Sequence, residues 1–376
     1  MLVGLLFLAV IFLAYFNGAN DNFKGVATLY GSGTVSYKTA ITLATLATFA
    51  GSLSALFLAQ GLVDSFSGKG LVPEEITATP VFLTAVALGA GSTVLLATRL
   101  GFPISTTHSL VGGLLGAGLM SVGWNVNFST LGSAFFIPLL ISPFIAFILG
   151  MSVYWLLTKT RIMLGITKET CICVGEEKEY VPLRVIALNQ SAATNIEHET
   201  HKTSLTMAEE SKCVDIYTDK LWGVYVQKLL DIAHTISAAA VSFARGLNDT
   251  PKIAGLLVAV EVLNLQFSMT AIALGMAIGG LLNARKVAET VSHKITKISH
   301  SQGFSANLVT SFLVIVASKF GVPVSTTHVS VGSIFGISMV SSSHNAKMIT
   351  NIILSWLITL PVAALFSAIA YFIIPM

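Results

Sequence analysis

Polar residues are scarce along most of this chain, and the apolar ones run continuously instead of alternating. Continuous runs of about 20 apolar residues predict membrane-spanning helices, whereas the strands of a barrel would alternate. In the first half the runs are Leu2–Phe16, Ala40–Leu62, Val81–Ala97, Ile104–Val122 and Phe135–Leu157. In the second half they are Leu221–Phe243, Phe267–Leu282, Ala306–Ala317, Val324–Val340 and Ile349–Ile374. Between them, Thr158–Lys220 is polar and mixed in charge. The pattern divides the chain into a membrane repeat at 1–157, a hydrophilic linker at 158–220 and a second membrane repeat at 221–376. Met1–Phe16 lacks the basic start of a signal peptide and runs straight into polar residues, so it is expected to be the first membrane helix.

Two further apolar stretches, Asn22–Leu29 and Ile253–Val260, are too short to cross a bilayer. They are expected to be arms of re-entrant hairpins, which are tolerated where protein or water covers the backbone. Each follows a polar motif, and the motifs repeat. Gly18-Ala19-Asn20-Asp21 is followed by Pro103-Ile104-Ser105-Thr106-Thr107-His108. Gly246-Leu247-Asn248-Asp249 is followed by Pro323-Val324-Ser325-Thr326-Thr327-His328. Carboxylates, amides and hydroxyls are costly in hydrocarbon. A chain that places the same constellation there twice is building one site from two halves, which points to a secondary transporter with internal repeats.

Composition sharpens this picture. Hydrophobic residues make up 54% of the chain, charged residues 10%, and mean hydropathy is +0.80. Soluble domains carry about 25% charged residues. Of the Asp, Glu, Lys and Arg residues, 18 lie between Leu157 and Leu221, so the remainder is poorer still. The net charge of +3 gives no reason to expect nucleic acid as a partner. Cys171, Cys173 and Cys213 lack metal-ligand spacing and are expected to be reduced cytoplasmic thiols. In the linker, Glu176-Glu177-Lys178-Glu179, Asn195, His198 and His201 form no motif with a mechanism.

Charge also sets an orientation. The loop after the second run carries Asp64, Lys69, Glu74 and Glu75, whereas its counterpart carries Arg285, Lys286, Lys294 and Lys297 against Glu289. By the positive-inside rule the second loop is cytoplasmic and the first is not. Counting crossings puts Lys38, Arg99, Lys159, Arg161 and Lys347 on the cytoplasmic side as well. Five crossings per half is odd, so the halves are inverted. Both termini are then outside and the linker inside.

The motifs carry chemistry. Asn20-Asp21 and Asn248-Asp249 could each cap a following helix. Their repetition at matching positions favours Asp21 and Asp249 as coordinating or proton-accepting carboxylates. The Ser-Thr-Thr runs follow Pro103 and Pro323, which stop a preceding helix. They precede Gly-containing apolar helices with Gly112, Gly113, Gly116, Gly332 and Gly336. Hydroxyls beside the free N–H groups of a helix start suit an oxyanion. Ordinary capping with close helix packing is the alternative. His108 and His328 follow on the first turn, where they either pack or carry a coupling proton.

These motifs, their order and the central hydrophilic loop resemble the inorganic phosphate transporter family, the PiT-type permeases. The likeness covers nearly the whole chain except the linker. It implies an all-α integral membrane fold of two inverted repeats, each of about five spanning helices plus re-entrant hairpins, joined by a hydrophilic cytoplasmic loop. It implies import of inorganic phosphate by symport with protons or sodium, in a multi-pass protein of the cell membrane, without an enzymatic activity or a cofactor. Asp21, Ser105, Thr106, Thr107, Asp249, Ser325, Thr326 and Thr327 would surround the anion. Asn20 and Asn248 would contribute to the anion or to a coupling cation. Sodium is the one metal this reading admits, without assigned ligands, and a homodimer is compatible with it. Two rivals remain: a permease for another tetrahedral oxyanion such as sulfate, and an uncoupled anion channel or sensor.

The chain departs from the family in one symmetric respect. Members usually place a second Asn three residues after the motif Asp, whereas this chain has Lys24 and Lys252. Positions three apart share a helix face. Each Lys is therefore expected to pair with its Asp or face the anion, standing in for a metal cation, unless it snorkels to an interface. Arg245, just before Gly246, adds a further, unpaired positive charge with no equivalent at Asn17.

Overall fold

The structure is a computed structural model that describes residues 1–167, 170–183, 196–209, 222–258, 264–294, 298–341 and 346–375. Asn195, Cys213, Lys220, Leu221, Val260 and Lys297 lie outside the described residues. A helix forms on each of the ten apolar runs. In the first half these are α1 (Leu2–Asp21), α2 (Tyr37–Leu58), α3 (Pro80–Leu100), α4 (Thr106–Val122) and α5 (Ile137–Met163). In the second they are α6 (Val226–Val258), α7 (Leu265–Asn283), α8 (His300–Lys319), α9 (Thr326–Val340) and α10 (Ala346–Ile373). Their starts follow local chemistry. Ser36, Thr79, Ser105, Asn264, Ser299 and Ser325 each accept a first-turn backbone N–H, opening α2, α3, α4, α7, α8 and α9.

The re-entrant hairpins are not where the short apolar stretches suggested. α1 passes Asp21 into a 3-10 turn, Asn22–Val26, and then a short helix, Ala27–Gly31. α6 runs unbroken through Asn248, Asp249 and Pro251. Asn22–Leu29 and the described part of Ile253–Val260 are therefore continuations of these helices. In an apolar setting an unbroken backbone ladder costs less than a turn with free N–H and C=O groups. Asp21 makes no capping hydrogen bond, and Asp249 lies inside a helix, so capping does not explain either motif.

The hairpins are α3–α4 and α8–α9. α3 ends at Gly101 in the left-handed region (φ 77°), and Gly321 after α8 adopts φ 68°. Both are turns that a side chain would strain. Pro103 and Pro323 then hold a short non-helical segment before the next helix starts. Gly101 lies against Lys286 and Thr290, at the end where Gly31 meets Ser292. Gly321 lies against Gly61, just past the far end of α2. A helix of that length, 22 residues, spans about 33 Å. The two hairpins therefore enter the bundle from opposite ends, as inverted repeats require.

Glycines weave the repeats together. A Cβ at Gly112 or Gly116 of α4 would overlap backbone carbonyls of Leu360 and Ala364 on α10. A Cβ at Gly332 or Gly336 of α9 would overlap those of Pro143 and Phe147 on α5. Each hairpin is thus pressed onto the closing helix of the other repeat. The same exchange joins α1 to α7, through Gly18 on Met276 and Gly279 on Tyr15, and α6 to α2, through Gly246 on Thr48 and Gly51 on Phe243. Small residues that let backbones approach replace the hydrophobic effect as the glue between helices in lipid.

The membrane helices and their connections, Met1–Leu156 and His234–Met376, form one compact unit, and Leu157–Ala233 forms another. The second contains three antiparallel strands, β1 (Thr170–Leu183), β2 (Ile196–Glu209) and β3 (Trp222–Tyr225), in the order β2-β1-β3. The polar composition of this segment indicates a connecting linker or a small subdomain and carries no sign of a sheet. Cys171 is a free thiol buried in β1.

The glycine contacts generate a stability prediction. Gly116→Val and Gly336→Val should each lower the thermal unfolding midpoint in detergent, because overpacking costs about 1–3 kcal/mol. Gly4, where an added methyl would meet nothing within 4 Å, should accept Ala with no loss. Equal midpoints for all three variants would show that these close approaches do not hold the bundle.

Candidate functional site

The non-helical segments that follow the two turns come together at their inner ends, the hairpin tips at residues 104–107 and 324–327, where α1 and α6 carry their Asn-Asp motifs. Thr107 Oγ1 of the first donates to the Val324 carbonyl of the second (3.3 Å), and Thr327 Oγ1 donates to the Ile104 carbonyl (3.2 Å). Asn20 and Asn248 hold these tips in place. Asn20 Nδ2 donates to Thr98 Oγ1 and to the Phe102 carbonyl, while Asn20 Oδ1 accepts from the Ile104 N–H. Asn248 Nδ2 donates to the Val324 carbonyl and Thr326 Oγ1, and Ser318 Oγ donates to Asn248 Oδ1. Each motif amide thus brackets the hairpin of its own repeat.

The hydroxyls divide their tasks. Ser105 and Ser325 accept from the His108 and His328 N–H groups and start α4 and α9, as the capping alternative describes. Thr106 instead turns to a carboxylate, donating to Asp21 Oδ2 at 3.1 Å. Thr107 and Thr327 each receive a hydrogen bond from a lysine of the opposite repeat. Lys24 Nζ donates to Thr327 Oγ1, and Lys252 Nζ donates to Thr107 Oγ1, both at 2.8 Å.

The charged groups are all interior. Asp21, Asp249, Lys24, Lys252 and Arg245 are exposed by 4, 3, 6, 0 and 1%, so neither lysine snorkels. Lys24 is paired with Asp21 and also donates to the Ile104 carbonyl. Lys252 donates to the Val324 carbonyl at 2.6 Å and stands 3.8 Å from Asp249 Oδ1. Arg245 is engaged through its terminal nitrogens, not the unpaired charge that its lack of a repeat partner suggested. Its terminal nitrogens donate to Asn17 Oδ1 (2.8 Å), Asn22 Oδ1 (2.9 Å) and Thr48 Oγ1 (3.3 Å). Its Nε lies 3.6 Å from Asp249 Oδ2. Asn17 completes the link by donating to Thr106 Oγ1 (2.9 Å) and Asp249 Oδ2 (3.3 Å).

Three cations therefore face two carboxylates, a formal excess of one positive charge in a desolvated place. Such an excess is costly by itself and favours a bound anion. Among the described residues no cluster of His, Cys, Asp and Glu is arranged to hold a metal.

His108 and His328 stand apart from the carboxylates. Their ring centroids are 4.4 Å apart, and His328 lies 3.7 Å from the Trp356 ring. Both line a cavity of about 490 Å³ walled by apolar side chains of α5 and α10, including Phe144, Phe147 and Leu357. Asn17, Asn22, Thr48, Thr98 and Ser318 are partners that motif reasoning missed. Thr98 and Ser318 precede Pro103 and Pro323 by the same interval, a repeat signal that could have found them. Thr48 sits in an ordinary apolar helix and leaves no comparable mark.

Arg245 ties α6 to both α1 and α2, so its removal should be severe. Arg245→Met leaves Asn17 Oδ1 without its buried donor and should destabilise the protein by about 1–3 kcal/mol. Arg245→Lys should recover little of this, because an ammonium cannot reproduce the planar fork. Thermal unfolding of both variants checks the outcome, and full rescue by Lys would contradict it.

Comparison with known proteins gives a consistent picture. The family model described as the phosphate transporter family matches residues 17–367. A Haemophilus influenzae protein named "Putative phosphate permease" is 30% identical, covering 96% of this chain and 94% of its own length. Another so named, from Thermococcus kodakarensis, is 27% identical with the same coverage. A solved structure described as the sodium-dependent phosphate transporter has a TM-score of 0.75 at 22% identity, covering 99% of this chain and 98% of that one. At that identity the superposition speaks for the fold.

Proposed function

The chain belongs to the phosphate transporter family, and we propose that it imports inorganic phosphate across the cell membrane as a cation-coupled secondary transporter. The observation that carries this reading is the buried excess of positive charge where the two hairpin tips meet. Lys24, Lys252 and Arg245 outnumber Asp21 and Asp249, and hydroxyls of Thr106, Thr107, Thr326 and Thr327 surround them. An arriving anion takes hydrogen bonds from the ammoniums and hydroxyls that now bridge the tips. Asn20 and Asn248 act indirectly, by holding the tips in register. His108 and His328 act at the seat of the hairpins on α5 and α10.

Phosphate suits this place better than sulfate. A phosphate monoanion has hydroxyls that donate to Asp21 or Asp249, whereas sulfate at neutral pH only accepts. Transport follows when one hairpin and its closing helix rock relative to the other, exposing the tips to each side in turn. The basic end of the bundle, with Lys286 donating to the Arg99 carbonyl, supports a cytoplasmic assignment there. The opposite end carries Asp64, Glu74 and Glu75. On that orientation both termini are outside, and Leu157–Ala233 lies in the cytoplasm.

Uptake of labelled phosphate into proteoliposomes tests the function, with labelled sulfate as the comparison. Asp21→Asn and Asp249→Asn should each abolish phosphate uptake, and wild-type uptake in both would remove the carboxylates from the mechanism. Thr106→Ala and Thr326→Ala should raise the half-saturating phosphate concentration. Losing a hydroxyl to a charged group costs about 1.5–3 kcal/mol, or roughly tenfold to a hundredfold. Sulfate uptake equal to that of phosphate would favour a general oxyanion permease.

A further inference from the structure

Each motif lysine places its ammonium among oxygens drawn from both repeats. Around Lys24 Nζ stand Asp21 Oδ1, the Ile104 carbonyl and Thr327 Oγ1. Around Lys252 Nζ stand Asp249 Oδ1, the Val324 carbonyl and Thr107 Oγ1. A carboxylate, a main-chain carbonyl freed by a broken helix and a hydroxyl form the oxygen set that suits a hard, small cation. The carbonyls are available because Ile104 and Val324 lie in the non-helical segments that hold Pro103 and Pro323. The sets match in kind, and each crosses from one repeat to the other.

A sodium ion on either set of oxygens would have to stand where the nitrogen stands. It would also bring a fourth positive charge into a desolvated place that already holds three against two. The residues present therefore do not fit sodium at these two positions. We infer that the Lys24 and Lys252 ammoniums are tethered replacements for coupling sodium ions, so that sodium is not a driving ion at this site. The charge that would otherwise arrive and leave with each cycle is here part of the chain. The gradient that drives transport must then belong to another cation. Arg245 is not part of this exchange, since its nitrogens are committed to Asn17, Asn22 and Thr48.

The statement about transport rests on the phosphate reading, whereas the statement about sodium occupancy does not. Two measurements on purified protein in detergent separate them: saturable binding of radiolabelled sodium, and phosphate affinity in sodium against choline at equal ionic strength. The wild type should bind no saturable sodium, and its phosphate affinity should be the same in both salts to within about twofold. Lys24→Asn/Lys252→Asn keeps an oxygen at each position without the charge. It should bind sodium saturably, and its phosphate affinity should rise about tenfold or more when sodium replaces choline. Saturable sodium binding by the wild type at the level of the double variant overturns the inference, as does a tenfold sodium requirement for phosphate binding in the wild type. If the double variant fails to fold, the wild-type measurements decide alone. Absence of phosphate binding in both salts would sink the transport reading, and the sodium counts would still decide occupancy.

Discussion

Ionised groups inside a bilayer protein must be answered by other groups at once, because no water is at hand to do it. The rest of this molecule is arranged around that requirement. Asp21 is answered by Lys24 and Thr106, and Asp249 by Lys252, Arg245, Asn17 and Asn248. No single repeat contains all the partners. Lys24 reaches Thr327, Lys252 reaches Thr107, and Arg245 reaches Asn17, so each half is electrically incomplete without the other.

The packing obeys the same logic of exchange. Each hairpin's second helix lies on the closing helix of the opposite repeat, through glycines that admit carbonyls to their surface. In lipid, burial of apolar side chains offers little gain, and close backbone contact takes its place.

The tips are where these two constraints meet. Their carbonyls at Ile104 and Val324 lie in non-helical segments outside any helix ladder, and their hydroxyls come from the threonines that start the next helices. An ammonium satisfies both groups and a carboxylate together. The three cations there outnumber the two carboxylates. On the reading proposed above, substrate binding and the locking of one repeat to the other would use the same hydrogen bonds.

Much of this was legible from residue order alone. Ten apolar runs, two copies of the Asn-Asp motif, two Ser-Thr-Thr runs after proline and the paired lysines each announce themselves, because polar groups in hydrocarbon survive only for a reason and repetition excludes accident. The odd number of runs per half and the loop charges carried the inverted arrangement. Residue order could not say which short segments turn back. Asn22–Leu29 resembled a hairpin arm by length, yet the backbone ladder continues through it, and the real turns are at Gly101 and Gly321. Nor could it assign partners across the repeats. Arg245 read as a stray charge, and only the fold, by bringing α1 and α2 against α6, supplied Asn17, Asn22 and Thr48. Composition and spacing report what a segment needs locally, whereas the partner of a buried charge is settled by which distant helix packs beside it.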